Sequence, residues 1–374
     1  MRNRVVCVRG EIRKDHRVLH KRTKWQTQFV TQLQTYPISL LSMIYQGSTG
    51  GAAESLEKVL GVAAAKKTAA GYESLLEAIS FLYSVKLYVV TKVFAQGAIK
   101  DDFSSLVTKS FFAEAESIDL ASTDGAAGTI NSWTEAKTEG RIKDIVSSAE
   151  LAGSSLVLVN TINLKGDWLI QFEEKDTQKK KFYISETDTV DCQMLFSSER
   201  IKYGEDLDLE SQVVCIAYEN ESIYLMVFLP RDRMGIKSLE EKIQHKSIPK
   251  VLQNMDLADV LLYLPKFNIE NKIDLQAPLK ELGLGPVFDN PEFPSVVDGP
   301  VTGVKLVQKV SFGVTEQGTD IGEAGFVFSK GGPQNQRIQY REFNADHPFL
   351  VMLVYEEEGN RTVLLTGRVA NPSS

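Results

Sequence analysis

The sequence predicts one large α+β domain preceded by a basic N-terminal arm, and three observations support this. The 374 residues are 43% apolar and 24% charged, which supplies enough apolar side chains for a sizeable core. No Pro/Gly/Ser-rich linker, low-complexity run or internal repeat divides the chain. Helical and β-rich segments are intermixed without strict strand–helix alternation. We therefore expect residues 1–24 to form the arm and residues 25–374 to form a single domain.

The arm differs from the rest of the chain in charge. Residues 1–24 hold nine Lys or Arg side chains against Glu11 and Asp15, and the other residues hold 33 basic and 47 acidic side chains. A net charge of about +7 beside a body of about −14 suits a heparin-like polyanion or a nucleic acid as partner. The alternative interpretation is a solvated, disordered tail.

Two segments show the apolar spacing of a helix. Residues 52–62 place Leu56 and Leu60 on one face, and residues 129–146 keep helical spacing as far as Ile142. We predict a helix over each segment.

Four runs are rich in β-branched and aromatic residues and end at turn residues or proline. They cover residues 154–164, 222–230, 259–267 and 362–369. We predict a strand in each run, and the mixture of these strands with helices indicates more than one sheet.

The sequence also bears on the cellular compartment. No apolar stretch approaches the ~20 residues of a membrane helix. The N-terminal residues have only VVCV among arginines and lack the apolar core of a secretory signal. We expect a cytoplasmic protein, or an extracellular one if this N-terminus is incomplete. The sequons that begin at Asn220 and Asn360 lie in polar, turn-like segments where a glycan could sit.

Residues that carry catalytic or metal chemistry are few and scattered. Cys7, Cys192 and Cys215 are odd in number and lack metal-like spacing, which predicts free, buried thiols. The four histidines form no metal pair, and no Walker loop or G-x-S-x-G elbow is present. His347 follows Asp346, but the apolar run after it predicts the start of a strand. We expect no enzyme activity, no metal and no cofactor.

Four segments resemble one known family. They are LVNTINLKGDW at 158–168, INSWTEAKTEGRIKDIV at 130–146, the L-P-K-F strand and following helix at 260–288, and the C-terminal strands at 345–369. In this order and spacing they resemble the serpins, over about residues 72–372. The resemblance implies a large mixed central sheet, further sheets, about eight or nine helices and an exposed reactive-centre loop at about residues 316–341.

The mechanism implied by the resemblance needs no catalytic residue. A target protease attacks the exposed loop and forms an acyl-enzyme. The cut loop then inserts into the central sheet, releases stored strain and distorts the protease before deacylation. Inhibition is therefore a race between loop insertion and deacylation. The implied partner is a protease, of the serine class or alternatively the cysteine class, and the implied state is a monomer that does not bind membranes.

The resemblance also assigns the hinge of the loop. Glu316, Gly318, Thr319 and Asp320 align with the E-x-G-T-E hinge of the family. Gly318 would let the backbone swing through φ values that are closed to other residues.

The residues after the hinge depart from the family pattern of small side chains. Counting every second residue from Thr319, the positions that face the sheet interior are Ile321, Glu323 and Gly325. Burying Glu323 in its neutral form costs about 2.7 pKa units at pH 7, or roughly 3.7 kcal/mol. This favours slow insertion, so that the protease cuts the loop as a substrate and escapes.

The position of the scissile bond stays open. The seventeenth residue counted from Glu316 is Gly332, followed by Pro333. Counting back from His347, as family members suggest, gives Gln334 to Arg337. Arg337 is a candidate bait for a trypsin-like protease.

The resemblance points to polar residues beneath the sheet, where the family sheet opens. Ser39 and Asn160 match family positions, and Gln308 stands where the family has histidine. These side chains could form a hydrogen-bonded network. Trp168 closes the family motif at the end of its strand.

Three functions fit the sequence. The first is a suicide-substrate inhibitor, most simply of a serine protease. The second is a non-inhibitory serpin that acts as a carrier, chaperone or storage protein, because Ile321 and Glu323 break the hinge pattern. The third is a polyanion-binding serpin that uses residues 1–24.

Overall fold

The computed structural model describes residues 35–62, 64–319 and 339–373. The basic arm at 1–24, Cys7, and the loop residues 320–338 lie outside the described residues. The division into an arm and one domain therefore remains a prediction.

The helices and strands follow one another irregularly along the chain. The helices are α1 (Thr35–Tyr45), α2 (Gly50–Leu60), α3 (Ala65–Ser80), α4 (Asp101–Phe111), α5 (Thr123–Lys137), α6 (Ser148–Leu151), α7 (Ile236–Ile243), α8 (Ile248–Gln253), α9 (Gln276–Leu279) and α10 (Gly285–Asp289). The strands are β1 (Val85–Ala95), β2 (Glu114–Ser117), β3 (Leu156–Asp167), β4 (Gln178–Tyr183), β5 (Thr189–Asp206), β6 (Ser211–Ala217), β7 (Ile223–Pro230), β8 (Asp256–Pro265), β9 (Phe267–Asp274), β10 (Val304–Val314), β11 (Gly318–Thr319), β12 (Arg341–Asn344), β13 (Phe349–Glu357) and β14 (Asn360–Val369). This mixture confirms the α+β class.

Two helices are joined by an irregular turn. A π-helical turn, Lys280–Leu284, connects α9 to α10, and Gly283 within it has φ of 94°. A φ in this region favours glycine because a Cβ atom would clash with the backbone. Counted as one interrupted helix, α9 and α10 bring the described residues to nine α-helices.

A six-stranded mixed sheet forms the centre of the molecule. Its strand order is β2-β1-β3-β10-β9, and β11 adds to β3. β3 pairs antiparallel with β1 over its whole length and parallel with β10. Nine of the first ten residues of β3 are buried, so this strand is covered on both faces of the sheet. Burial on both faces explains the near-continuous apolar sequence of β3.

Both faces of this sheet are covered. On one face, α5 and the segment 142–151 pack against Phe94, Val157, Val159 and Val307 of three neighbouring strands. On the other face, α1 and the remaining N-terminal helices bury Leu158, Ile162 and Leu306 in the main core. The cover on the first face lies across β1, β3 and β10.

A second, eight-stranded sheet completes the core. Its strand order is β12-β8-β5-β6-β7-β13-β14, with β4 on β5. β5 is 18 residues long and pairs with β8 along its middle and with β6 at its end. One face joins the main core, and α7 and α8 cover the other.

The predicted helix over 129–146 ends earlier than its spacing indicated. α5 stops at Lys137, and Ile142 is buried in the extended segment beyond it. Glu139 and Gly140 have φ of 53° and 79°, which ends the helical hydrogen bonding. The prediction was wrong here because Ile142 is buried against the sheet without being helical.

Three other sequence predictions can be compared with the structure. Cys192 and Cys215 are free and buried, as predicted. Asn220 is only 5% exposed, and its Nδ2 lies 3.4 Å from the carbonyl oxygen of Tyr83, so the expectation that a glycan could sit there was wrong. Asn360 is exposed at the β13–β14 turn. Among the described helices, none combines the length and the apolar character needed to cross a lipid bilayer.

Candidate functional site

The candidate site is the end of the six-stranded sheet where β3 and β10 separate. The two strands are paired from Leu156 and Val304 as far as Asn163 and Ser311. Beyond that point β11 pairs antiparallel with β3, with Gly318 opposite Asp167. The residues predicted as the hinge therefore lie at the opening between two central strands, where one more antiparallel strand could form hydrogen bonds with both neighbours.

Glu316 anchors this segment. Its carboxylate accepts hydrogen bonds from Lys266 at 2.8 Å and from Thr177 at 3.1 Å, and its side chain is 9% exposed. Burial alone would raise the pKa of Glu316, but the hydrogen bond and the charge of Lys266, with the hydrogen bond from Thr177 and a backbone hydrogen bond, together outweigh it and the pKa is lowered. Its backbone oxygen accepts a hydrogen bond from Phe172 N at 2.9 Å. Glu316 is thus held as a carboxylate against the loop that follows β3.

Trp168 binds the hinge through both its backbone and its side chain. The indole Nε1 donates to the carbonyl oxygen of Thr315 at 3.0 Å, and the backbone N donates to that of Gln317 at 2.8 Å. The ring of Trp168 lies 4.4 Å from that of Tyr218, centroid to centroid. Trp168 is 1% exposed, so it forms a rigid wall against which the hinge docks.

Thr319 is the last described residue before the loop, and its side chain points inward. It is 1% exposed, and its hydroxyl shares a hydrogen bond of 2.5 Å with that of Tyr218. Burial raises the pKa of Tyr218, which keeps the phenol protonated. Thr319 is therefore buried beside Tyr218, whereas its place within a widened sheet stays a prediction. The other predicted hinge residues, Asp320, Ile321 and Glu323, lie outside the described residues.

Gly318 is needed here because the space for a side chain is missing. A Cβ atom at this position would lie 1.9 Å from the carbonyl oxygen of Gly166 and 2.8 Å from Cα of Asp167. Gly318 is not among the glycines with positive φ. In this state, close approach of the hinge to β3 selects glycine, rather than the φ freedom expected from the sequence.

A second group of polar side chains lies within the sheet, below the opening. Asn160 on β3 is fully buried, donates to Thr91 Oγ1 at 2.8 Å and accepts from Gln308 Nε2 at 2.9 Å. The three residues are in register on β1, β3 and β10. The row therefore crosses the line along which β3 and β10 would part.

This row is incompletely paired. Among the described residues, the Gln308 Oε1 and Ser42 Oγ atoms are buried and lack a hydrogen-bond partner. Ser39 is also buried, on α1, which contacts β3. A buried acceptor without a partner weakens the closed arrangement, because its lost hydration is not replaced.

The structure brings some predicted residues together and leaves others apart. The opening brings together Glu316, Gly318, Thr319 and Trp168. Asn160 lies eight residues before Trp168 on β3, and there it meets Gln308 of β10. The candidate scissile residues Gly332, Pro333, Gln334 and Arg337 lie outside the described residues.

The sequence prediction missed four residues of the site. Lys266 and Thr177 hold Glu316, Tyr218 holds Thr319, and Thr91 completes the buried row. Lys266 stood inside the L-P-K-F motif, but its contact with Glu316 could not be inferred without the sheet. Thr91 required the register of β1 against β3.

His347 shows an arrangement that suits a structural role. Its Nδ1 lies 2.7 Å from Asp346 and its Nε2 lies 2.8 Å from the carbonyl oxygen of Pro230. Both ring nitrogens are occupied within the protein, and β13 begins two residues later, as the sequence predicted. Within the part of the chain that the structure describes, no three His, Cys, Asp or Glu side chains gather as metal ligands.

Comparison with known proteins gives a consistent result. Residues 37–372 match the family model described as Serpin (serine protease inhibitor). Antichymotrypsin-2 of Bombyx mori is 29% identical over 340 residues, which is 88% of each chain. The structure is similar to that of Serpin48, a highly specific serpin of the insect Tenebrio molitor, with TM-score 0.82 and 22% identity over 98% of this chain and 100% of that one. It is also similar to human thyroxine-binding globulin complexed with thyroxine, with TM-score 0.84 and 19% identity over 95% and 99%.

Proposed function

The chain belongs to the serpin family, and we propose that it inhibits a protease of the serine class as a suicide substrate. The observation that carries this proposal is the position of the hinge. Gly318 and Thr319 already pair with β3 at the opening between β3 and β10, and Thr319 is buried there. Further residues of a cut loop can extend this pairing down the sheet.

The proposed mechanism follows from this geometry. The loop runs from Thr319 to β12. Once the loop is cleaved, the residues that follow Thr319 are no longer connected to β12. The free segment extends β11 between β3 and β10, and each added residue replaces the hydrogen bonds that the two strands lose when they part. The protease, joined to the loop as an acyl-enzyme, is carried along the sheet before water can release it. The outcome depends on which of the two steps is faster.

A non-inhibitory serpin, acting as a carrier, chaperone or storage protein, is the second candidate. The specific observation in its favour is the burial of the Thr319 side chain. If side chains alternate from Thr319 onwards, Ile321 and Glu323 face the sheet interior, where the carboxyl group of Glu323 needs a partner or a proton. If the loop inserts slowly, the protease cuts it, completes deacylation and escapes.

The test is incubation with a panel of serine and cysteine proteases, followed by denaturing gel electrophoresis. We expect a stable band at the summed mass of the chain and a serine protease. The matched control is Thr319→Arg, which keeps the exposed loop but replaces a buried side chain with one too large and charged for the Tyr218 site. The control should yield only cleaved product. Cleavage of the wild type without any covalent band would favour the non-inhibitory candidate.

A further inference from the structure

A cleft outside the hinge site lies between the segment that follows β3 and the strands β5, β6 and β8. Its volume is about 360 Å³, and one wall is made by Leu169, Ile170 and Phe172. Sites for small molecules generally have volumes of about 300–1,000 Å³. The cleft is therefore large enough for a small organic molecule.

The rim of the cleft exposes apolar side chains. Leu169 is 47% exposed and Ile170 44%. Both line the cleft. Neighbouring apolar side chains that remain in water are stabilised when an apolar ligand covers them.

One carboxylate faces the inside of the cleft without a partner. Glu199 of β5 is paired in register with Val260 of β8, which is fully buried, so both side chains lie on the core side of this sheet. Among the described residues Glu199 has neither a hydrogen bond nor an ion pair. Burial raises the pKa of Glu199, as expected for a carboxyl group that lacks a counter-charge.

The other charged residues of the cleft are differently placed. Glu356 is neutralised by Arg361, which binds it with two hydrogen bonds of 2.8 and 2.9 Å. Arg200 and Lys202 are exposed and alternate with Glu199 along β5, so their side chains leave from the opposite face. Glu221 is exposed at the rim. Glu199 is therefore the charged residue of the cleft that a ligand inside it could neutralise.

We propose that this cleft binds a small apolar molecule carrying a protonated amine, with the apolar part against Leu169 and Ile170 and the ammonium group on Glu199. Such a ligand both supplies the missing counter-charge and covers the apolar rim. Neither a neutral apolar molecule nor an anion does both. This site goes beyond protease inhibition and does not depend on it.

The cleft shares a wall with the hinge site. Phe172, which lines the cleft, donates its backbone N–H to the carbonyl oxygen of Glu316, and Leu169 directly follows Trp168. A bound ligand therefore rests against the segment that holds the hinge.

The test uses two fluorescent probes that share one apolar group. Dansylcadaverine carries a primary amine on its tail, and dansylamide has no amine tail. We expect the wild type to raise and blue-shift the fluorescence of dansylcadaverine, with dansylamide binding at least tenfold more weakly. Glu199→Gln should weaken dansylcadaverine binding about tenfold, because a charge-assisted hydrogen bond is lost, and leave dansylamide binding unchanged.

Two further variants separate the two parts of the site. Ile170→Ser removes an exposed apolar side chain of the rim and should weaken the binding of both probes. Glu186→Gln changes an exposed carboxylate in the β4–β5 turn and should change neither. Each variant is compared with the wild type by circular dichroism melting to confirm that it is folded.

Three results would overturn the proposal. One is no binding of dansylcadaverine to the wild type at 100 times the protein concentration. Another is equal binding of dansylcadaverine and dansylamide. The third is unchanged binding of dansylcadaverine to a folded Glu199→Gln variant.

Discussion

Thr319 determines which loop residues would face the sheet interior after insertion. Its side chain is buried beside Tyr218, and side chains alternate along a strand. Ile321 and Glu323 would then share the inward direction of Thr319. Neutralising Glu323 costs roughly 3.7 kcal/mol at pH 7, and such a cost on the barrier slows a reaction several-hundredfold. A single side chain could therefore decide the race between insertion and deacylation.

Replacing Glu323 by Ala should raise the ratio of covalent complex to cleaved product. The reason is that alanine enters the sheet interior without losing hydration of a carboxyl group. Ile321→Ala should raise the ratio less, since an apolar side chain costs only local overpacking, about 1–3 kcal/mol. The ratio is read from denaturing gels after reaction with a protease that cuts the loop. If the wild type already traps a protease nearly one to one, Glu323 does not oppose insertion.

Gly318→Ala should lower the urea midpoint of the uncleaved protein. The added Cβ would lie 1.9 Å from the Gly166 carbonyl oxygen, so the hinge must move away from β3. We expect a loss of about 1–3 kcal/mol, typical of overpacking. The matched control is Gly128→Ala in α5, where a Cβ meets nothing within 4 Å and helix propensity favours alanine. An unchanged midpoint for Gly318→Ala would mean that the hinge does not dock as described.

At the scale of elements, α5 and the segment 138–151 that follows it oppose insertion because the segment is tied to both sides of the β3–β10 line. Arg141 donates to Asn163 of β3 at 3.0 Å. Glu150 of α6 pairs with Lys272 of β9 at 2.7 Å. A strand inserted between β3 and β10 moves them apart by about 4.8 Å. The two ties cannot both survive this separation.

Lys272→Met should therefore speed the conversion of the native monomer to inserted forms, such as loop–sheet polymers, during mild heating. Both partners are about one-third exposed, so we expect a change of a few-fold at most. Replacing Lys272 also leaves the capping box between Ser147 and Glu150 intact. Lys280→Met is the control, since its pair with Asp289 joins the π-helical turn to the end of α10 and does not involve the central sheet. Loss of monomer is followed on native gels, and equal rates for both variants would contradict the role of this tie.

The same tie should depend on pH. Burial by itself raises the pKa of Glu150, but the hydrogen bond and charge of Lys272, together with two hydrogen bonds from Ser147, outweigh it and the pKa falls to about 2. Because the folded pKa is depressed, the stabilisation is present above about pH 4.5 and is lost as the pH falls towards 2. The difference between the wild type and Lys272→Met should shrink over this range. A difference that stays constant from pH 5 to pH 3 would exclude the ion pair as its cause.

Elements with strong local patterns could be predicted from the sequence, and contacts between them could not. The apolar runs at 154–164 and 222–230 became β3 and β7, and 52–62 became most of α2. The prediction failed at Ile142, because burial under a sheet and burial on a helix face give the same apolar spacing over short distances. The assignment of Glu316 to a hinge rests on the family resemblance and stays a prediction. Its partner Lys266 depended on long-range pairing that no local pattern records.

At the scale of the whole molecule, the proposed function rests on a sheet that is closed along most of β3 and open at one end. The closed part is crossed by the row Thr91–Asn160–Gln308, and the open end holds the residues predicted as the hinge. The apolar layers on both faces mean that β3 and β10 can part only if α5 and its following segment shift. The proposed inhibitor is therefore a molecule whose central sheet must widen by one strand.

The most direct test of the account is the distance across this sheet before and after loop cleavage. Spin labels are placed at the exposed positions Lys86 of β1 and Glu270 of β9 in a Cys7→Ser, Glu323→Ala background, and the loop is cut by limited proteolysis between 326 and 340. Pulsed electron paramagnetic resonance then measures the distance between the labels. The account predicts an increase of about 4.8 Å on cleavage, the width of one added strand. An unchanged distance in the cleaved protein would contradict insertion between β3 and β10.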